Sequence, residues 1–392
     1  MNIQTQSHQS TYRSLFLLRP DIVFLNHGSF GATPIPVFER YQYWQRELER
    51  QPVEFLGRRA RDLLSQSRAA LAEYLHTQPA NLVYVTNATT GLNIIARSLN
   101  LTRQDEVLST DHEYGALDRT WRFLAQKRGF KYINQPLNLP VKNPDQIIAN
   151  FWAGVSPNTR VIFISHITSP TALILPVQTI CKLARRQGIL TIVDGAHAPG
   201  QIELNLEELG ADFYVGNLHK WLCAPKGSAF IYAHPDVQHL IEPLIVSWGW
   251  ESETPGESRF VDYLEWSGTR DISAFLTVPD AIHFQQQMGW KELRQSCHQL
   301  AAQTRQMIEE MTGQSALYPD GPEWYMQMGT VPLPEKLDSA ALQDRLYREF
   351  NIEIPVTRWR NRHLIRFSLQ IYNDESDILA LKKALSVILC KV

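Results

Sequence analysis

From residue 80 to residue 233 the chain repeats one alternation: a short, strongly apolar run, then a polar segment whose apolar residues recur with helical spacing. The runs LVYVT (82–86), EVLST (106–110), VIFISHI (161–167), ILTIVD (189–194), DFYVGN (212–217) and SAFIYA (228–233) read as strands. GLNIIARSL (91–99), a segment ending near Arg128 and residues 177–187 read as helices. Strands that are apolar without alternation must be covered on both faces, and intervening helices supply the cover. The pattern therefore predicts an α/β fold with a mostly parallel sheet. In such sheets, ligands bind where the strands end at their carboxyl side.

The flanking regions have a different grammar. Residues 1–20 read as a polar arm, and FLNHGSFGATPIP (24–36) carries enough Gly and Pro to predict irregular structure. Helices are expected over about 37–50 and 58–75, separated at Pro52. Beyond about residue 270 a long helix over 274–311 precedes an α+β segment. That segment has strands at 327–334, 352–359 and 363–371, a helix over 338–349, and a C-terminal helix. The predicted organisation is an arm (1–20), a large α/β domain (21–272) and a smaller C-terminal α+β domain (273–392). The N-terminal segment is expected to pack near the small domain, with a ligand cleft between the two domains.

Composition narrows the partners. Lysine and arginine number 38 against 40 acidic residues, so the net charge of −2 gives no general attraction to nucleic acid or anionic membrane. The four cysteines lie far apart, without CxxC spacing, which excludes a disulfide scaffold and a cysteine-rich zinc site. HEYGA (112–116) is not HExxH, so no metal is expected. No apolar run approaches the roughly 18 residues of a membrane span, and no secretory leader is recognisable. The expectation is a cytoplasmic protein in a reducing compartment.

The residues at the strand ends carry the chemistry. TNATTG (86–91) joins a strand to a helix, where backbone N–H groups and the hydroxyls of Thr89 and Thr90 suit an oxyanion. The same residues also suit simple helix capping. GxGxxG and GxxxxGK[ST] are both absent. Asp194 closes an apolar strand, and a carboxylate placed there needs a cationic partner or a capping role. His219-Lys220 follows another such strand, where burial lowers a lysine's pKa and makes it a nucleophile and proton carrier. Taken together, an anion loop, a ring-stacking His or Tyr at 112–114, a strand-end Asp and a strand-end Lys meet the needs of pyridoxal 5′-phosphate (PLP).

With these motifs in order, roughly residues 20–375 resemble the class V aminotransferase family of fold-type I PLP enzymes. FLNHGSFGATP, QPVEFLGRR, TDHEYGA and VSWGW are most similar to its isopenicillin N epimerase-like branch. The resemblance implies that Lys220 forms the Schiff base and Asp194 partners the pyridine nitrogen. Ala88, Thr89 and His219 would contact the phosphate, and His112 or Tyr114 would stack on the ring. His197 and Ser169 would lie near the phenolic oxygen, with Ser169 standing where many relatives have asparagine. Arg366 would hold the substrate carboxylate, with Asn26 and His27 also at the substrate. Gly268-Thr269 would reach the phosphate of a neighbouring subunit, which implies a homodimer with shared active sites.

No cysteine lies between Met326 and Arg366, where the desulfurases of this family carry their persulfide-forming residue. The expected reaction begins with loss of the α-proton of an amino acid. Epimerisation or racemisation comes first, with His112 or Tyr114 as second proton carrier. A carbon–sulfur β-lyase and an aminotransferase are the alternatives, and a non-catalytic PLP-binding protein is the alternative of another class.

Overall fold

The computed structural model describes residues 12–256 and 258–389. Its centre is a seven-stranded sheet built from Leu82–Val85 (β1), Glu106–Thr110 (β2), Lys131–Gln135 (β3), Thr159–Ser165 (β4), Leu190–Asp194 (β5), Phe213–Asn217 (β6) and Ala229–Ala233 (β7). The spatial order is β1-β7-β6-β5-β4-β2-β3. All pairings are parallel except those of β7, which runs antiparallel to both neighbours. The chain thus begins at one edge, crosses to β2 near the other, and fills inward. This brings the carboxyl ends of β1, β2, β4, β5 and β6 to one side of the sheet.

Two layers of side chains cover the sheet. On one face Val83, Ile95, Phe163, Ile192 and Trp121 form a cluster under the helices Ala88–Ser98 (α1) and Gly115–Arg128 (α2). On the other, Tyr84, Ile162, Val193 and Tyr214 join a core that runs on through Ile308, Val331 and Phe367 into the C-terminal part. Local signals set the helix ends: Asn87 caps α1 by accepting from Thr90 N–H at 2.8 Å, and α2 stops at left-handed Gly129 (φ 90°).

The C-terminal part is a three-stranded antiparallel sheet in which Arg362–Ser368 lies between Val356–Trp359 and Met328–Leu333. Helices Trp290–Thr312, Ser339–Phe350 and Glu375–Leu389 accompany it. The N-terminal segment joins this part: Val23–Phe24 pairs in parallel with Ile352–Glu353, and Asn26 bridges Ser368. Among the described residues no helix is long and apolar enough to cross a membrane.

Several expectations are corrected. The helix expected over 274–311 is three helices, Ser273–Leu276, Val278–Gln287 and Trp290–Thr312. Pro279 fits only the first turn of the second, and left-handed Gly289 (φ 66°) separates it from the third. FLNHGSFGATPIP contains a helical turn, His27–Phe30, which Gly31 ends at φ 72°. The strand expected over 352–359 is split at Ile354-Pro355 between two sheets. The half-polar edge strand β3 and helix Pro144–Trp152 give no strong apolar pattern, and sequence reasoning missed both. Of the expected arm, residues 1–11 lie outside the described residues; Arg13 pins the rest by donating to the carbonyls of Arg19 and Ile22.

Candidate active site

At the carboxyl ends of the strands lies a cavity of about 340 Å³. The sheet contributes Asp194, His197, Asn217 and Lys220 to its wall, while Ser29, Phe30 and Ser169 close the other side. Lys220 follows β6; two bonds hold its carbonyl, and a third holds that of the next residue. Its carbonyl accepts from His27 Nε2–H (2.9 Å) and Cys223 N–H (3.1 Å), while Gln285 holds the carbonyl of Trp221 (2.8 Å). Gly31 is laid against this stretch: a Cβ on it would stand 2.0 Å from the His219 carbonyl oxygen.

Burial, and then the nearby Arg366 guanidinium, lowers the pKa of the Lys220 amine to about 8. Its Nζ is 3.2 Å from His197 Nε2, and His197 Nδ1 accepts from Trp221 Nε1–H at 3.3 Å. Asp194 ends β5, opposite Ser165 of β4. One carboxylate oxygen accepts from Ala196 N–H at 2.9 Å, and Asp194 forms no salt bridge among the described residues. Burial raises its pKa to about 6 against the opposing effects of Ala196 and Lys220. A buried acceptor in this state is ready for a cationic or N–H partner.

The start of α1 offers fewer donors than its sequence suggested. Ala88 N–H is taken by Asn217 Oδ1 (2.8 Å) and Thr90 N–H by Asn87, while Thr89 lines the cavity. His219 lines it too. Its Nδ1 faces the Ser228 carbonyl at 3.0 Å and must therefore donate, so Nε2 is the nitrogen left for a ligand.

Arg366 sits in the middle strand of the small sheet, 7% exposed and without a carboxylate partner among the described residues. One of its terminal nitrogens donates to the carbonyl and hydroxyl of Ser169 (2.6 and 3.2 Å), the other to the Ser29 hydroxyl (3.2 Å). Its Nε is buried without a partner. Burial lowers its pKa to about 10, still charged at neutral pH. Ser169, expected near the cofactor, thus holds this guanidinium at the cavity wall.

Asn26 and His27, expected at the substrate, lie behind that wall. Asn26 bonds Glu353 (2.9 Å) and accepts from the Ser29 hydroxyl (2.6 Å). His27 is fully buried between the Lys220 carbonyl and the Tyr372 hydroxyl (2.9 Å each). Sequence reasoning missed Ser29, although a hydroxyl in a turn-rich segment beside two glycines was a usable signal.

The two ring-stacking candidates are separated. His112 is completely buried outside the cavity lining, its ring 4.3 Å from that of Trp359 and its Nδ1 2.8 Å from the Thr171 hydroxyl. Tyr114 lines the cavity and is 48% exposed. In this structure the His112 ring is tilted against Trp359 of the small sheet, and only Tyr114 of the two reaches the cavity lining. Thr269 lies outside the lining of its own chain's cavity.

The aminotransferase class-V family matches residues 32–381. The isopenicillin N epimerase of Streptomyces clavuligerus is 36% identical over 96% of this chain and 97% of its own. A putative L-cysteine desulfhydrase of Oryza sativa subsp. japonica is 29% identical over 92% of this chain and 82% of its own. Among solved structures, a C-DES mutant with glycine covalently linked to its PLP cofactor superposes with a TM-score of 0.84 at 23% identity. It covers 95% of this chain and 98% of its own, which supports the shared fold. The chain belongs to the class V aminotransferase family of PLP-dependent enzymes.

Proposed function

We propose that this chain is a PLP-dependent enzyme acting at the α-carbon of an amino acid or amino-acid conjugate, with epimerisation or racemisation as its reaction. The observation that carries the reading is a buried lysine and a buried carboxylate, without an ion pair among the described residues, lining one cavity whose Ser29 and Ser169 are held by a buried guanidinium directly behind them. These residues fit PLP: Asp194 supplies the acceptor for a protonated ring nitrogen. Thr89 and the Nε2 of His219 supply the phosphate end, and Lys220 supplies the amine. When bound, the cofactor supplies an electron sink for the carbanion left by proton loss.

The chain's residues do the rest. Arg366, aimed by Ser169 and Ser29, binds the α-carboxylate through its planar fork. The Lys220 amine takes the α-proton on one side. Tyr114 is the second proton carrier and the ring-stacking residue, because it lines the cavity and His112 does not. The chain works as a homodimer, with Gly268-Thr269 reaching the neighbour's phosphate. The exposed apolar run Leu244, Ile245, Val246 and Trp248 supports an interface with a second copy. Its compartment is the reducing cytoplasm, consistent with buried free Cys181, Cys223 and Cys297.

A carbon–sulfur lyase is the second reading, favoured by the desulfhydrase relative. Proton NMR of the PLP-loaded protein with amino acids and cysteine conjugates in deuterated water separates the two. Loss of the α-proton signal followed by appearance of both enantiomers establishes the epimerase. Pyruvate, ammonia and a free thiol establish the lyase and overturn the first reading.

A further inference from the structure

An indole N–H can only donate, and the indole of Trp221 is fully buried. Its hydrogen goes to His197 Nδ1 at 3.3 Å. An imidazole that accepts at Nδ1 carries its hydrogen at Nε2, and that nitrogen is 3.2 Å from Lys220 Nζ. We propose that Trp221 is a positioning residue for the reactive lysine: it fixes the tautomer of His197, so that His197 presents an N–H to Lys220 Nζ and favours the form of that amine with a free lone pair.

An ammonium at Lys220 would meet an N–H head-on, two donors facing each other, while a neutral amine accepts from it. Three further contacts keep the geometry fixed. Gly200 lies so close behind the Trp221 backbone that a Cβ there would stand 2.4 Å from the Trp221 carbonyl carbon and oxygen. Gln285 holds the Trp221 carbonyl, and Gln201 donates to the His197 carbonyl at 2.7 Å. Burial, and then the neighbouring cations Lys220 and Arg366, push His197 well below its ordinary pKa, so the ring carries a single hydrogen and the tautomer is meaningful. The titratable and charged groups around Lys220 Nζ are His197, Asp194, Arg366 and His219. Of these, only His197 touches it directly among the hydrogen bonds of the described residues.

This deepens the proposed role of Lys220, but its geometry does not depend on the reaction. The first experiment is nitrogen-15 NMR of histidine-labelled full-length protein, stripped of cofactor and then loaded with PLP, with His197 assigned from the His197→Gln spectrum. The expected result is hydrogen on Nε2 and a bare Nδ1 throughout the neutral range. Hydrogen on Nδ1 in the wild-type protein overturns the proposal, whatever reaction the enzyme catalyses.

The second experiment is Trp221→Phe, which keeps a ring and removes the N–H. The Nδ1–H form should become comparably populated, and in the cofactor-free protein the titration midpoint of the Lys220 amine, followed by carbon-13 NMR of labelled lysine, should rise by about half a pH unit or more. In a His197→Gln background the same substitution should move that midpoint no further. An unchanged tautomer and an unchanged midpoint in folded Trp221→Phe would also overturn the proposal. Should that variant fail to fold, the wild-type spectrum alone still decides. A confirmed tautomer in a protein that never takes up PLP would sink the proposed function and leave this inference standing.

Discussion

The two walls of the cavity are built in different ways. The sheet wall holds Asp194 at the end of β5, with His197 and Lys220 on the loops that follow the neighbouring strands β5 and β6, so their positions follow from strand register. The opposite wall is assembled from three distant stretches: Ser29 from the N-terminal segment, Ser169 from the loop after β4, and Arg366 from the small sheet. Side-chain hydrogen bonds hold it in place rather than sheet register. The first wall carries the reactive groups; the second depends on the packing of the small sheet, and in the proposed function it holds the carboxylate end of the ligand.

Substitutions can test whether the walls divide labour in this way. The largest effect is expected in the sheet wall. Lys220→Ala should lower turnover roughly 10⁴-fold and abolish the visible absorption of bound PLP, as read by steady-state kinetics and spectra. Near-normal turnover would remove the lysine from the chemistry.

Asp194→Asn should lower kcat by about 10²-fold, yet stabilise the cofactor-free protein. The folded-state pKa of Asp194, about 6, lies above the ordinary value of 3.8, so between those limits the folded protein binds more protons than the unfolded one. Stability therefore falls as pH rises from about 4 to 6. The asparagine variant should escape that loss, by roughly 3 kcal/mol at neutral pH in denaturant titrations. Lys220 acts in the other sense: its folded pKa near 8 lies below 10.5, so its contribution improves as pH rises through that window. The difference between wild type and Lys220→Ala isolates it.

In the opposite wall, Arg366→Lys should raise KM about 10-fold or more and leave PLP binding unchanged, because an ammonium cannot copy the bidentate fork. A comparable loss of PLP affinity would mean that the two walls are not separate in function. Ser29→Ala should give the smallest change, a KM increase of about threefold, since the Arg366–Ser169 contacts remain.

The same division explains what could be read from the sequence. Asp194 and Lys220 follow apolar strands, and a strand end in a parallel sheet is a predictable place. Thr89 was legible for the same reason, through a capped helix start after β1. The donor lost at Ala88 was not, because it depends on Asn217, 129 residues away, whereas the one lost at Thr90 goes to the cap Asn87 that the same segment also suited. The contact of His112 with Trp359 was not legible either, since that neighbour comes from another sheet. Asn26 and His27 lie near the site in space, but they face Glu353 and Tyr372, and one-dimensional spacing carries no information about side-chain direction there. The edge strand β3 was missed because KYINQ, half-exposed with polar ends and only two apolar residues, resembles a loop in composition.

Gly31 has a consequence for anyone altering this protein. The chain there adopts φ 72° and passes so near the His219 carbonyl that even a methyl group has no room. The segment around Gly31 is therefore not a handle to be trimmed, fused or randomised apart from the reactive centre. A library aimed at new substrates should treat residues 26–33 as belonging to the same cassette as residues 217–224, and exchange the two together between relatives.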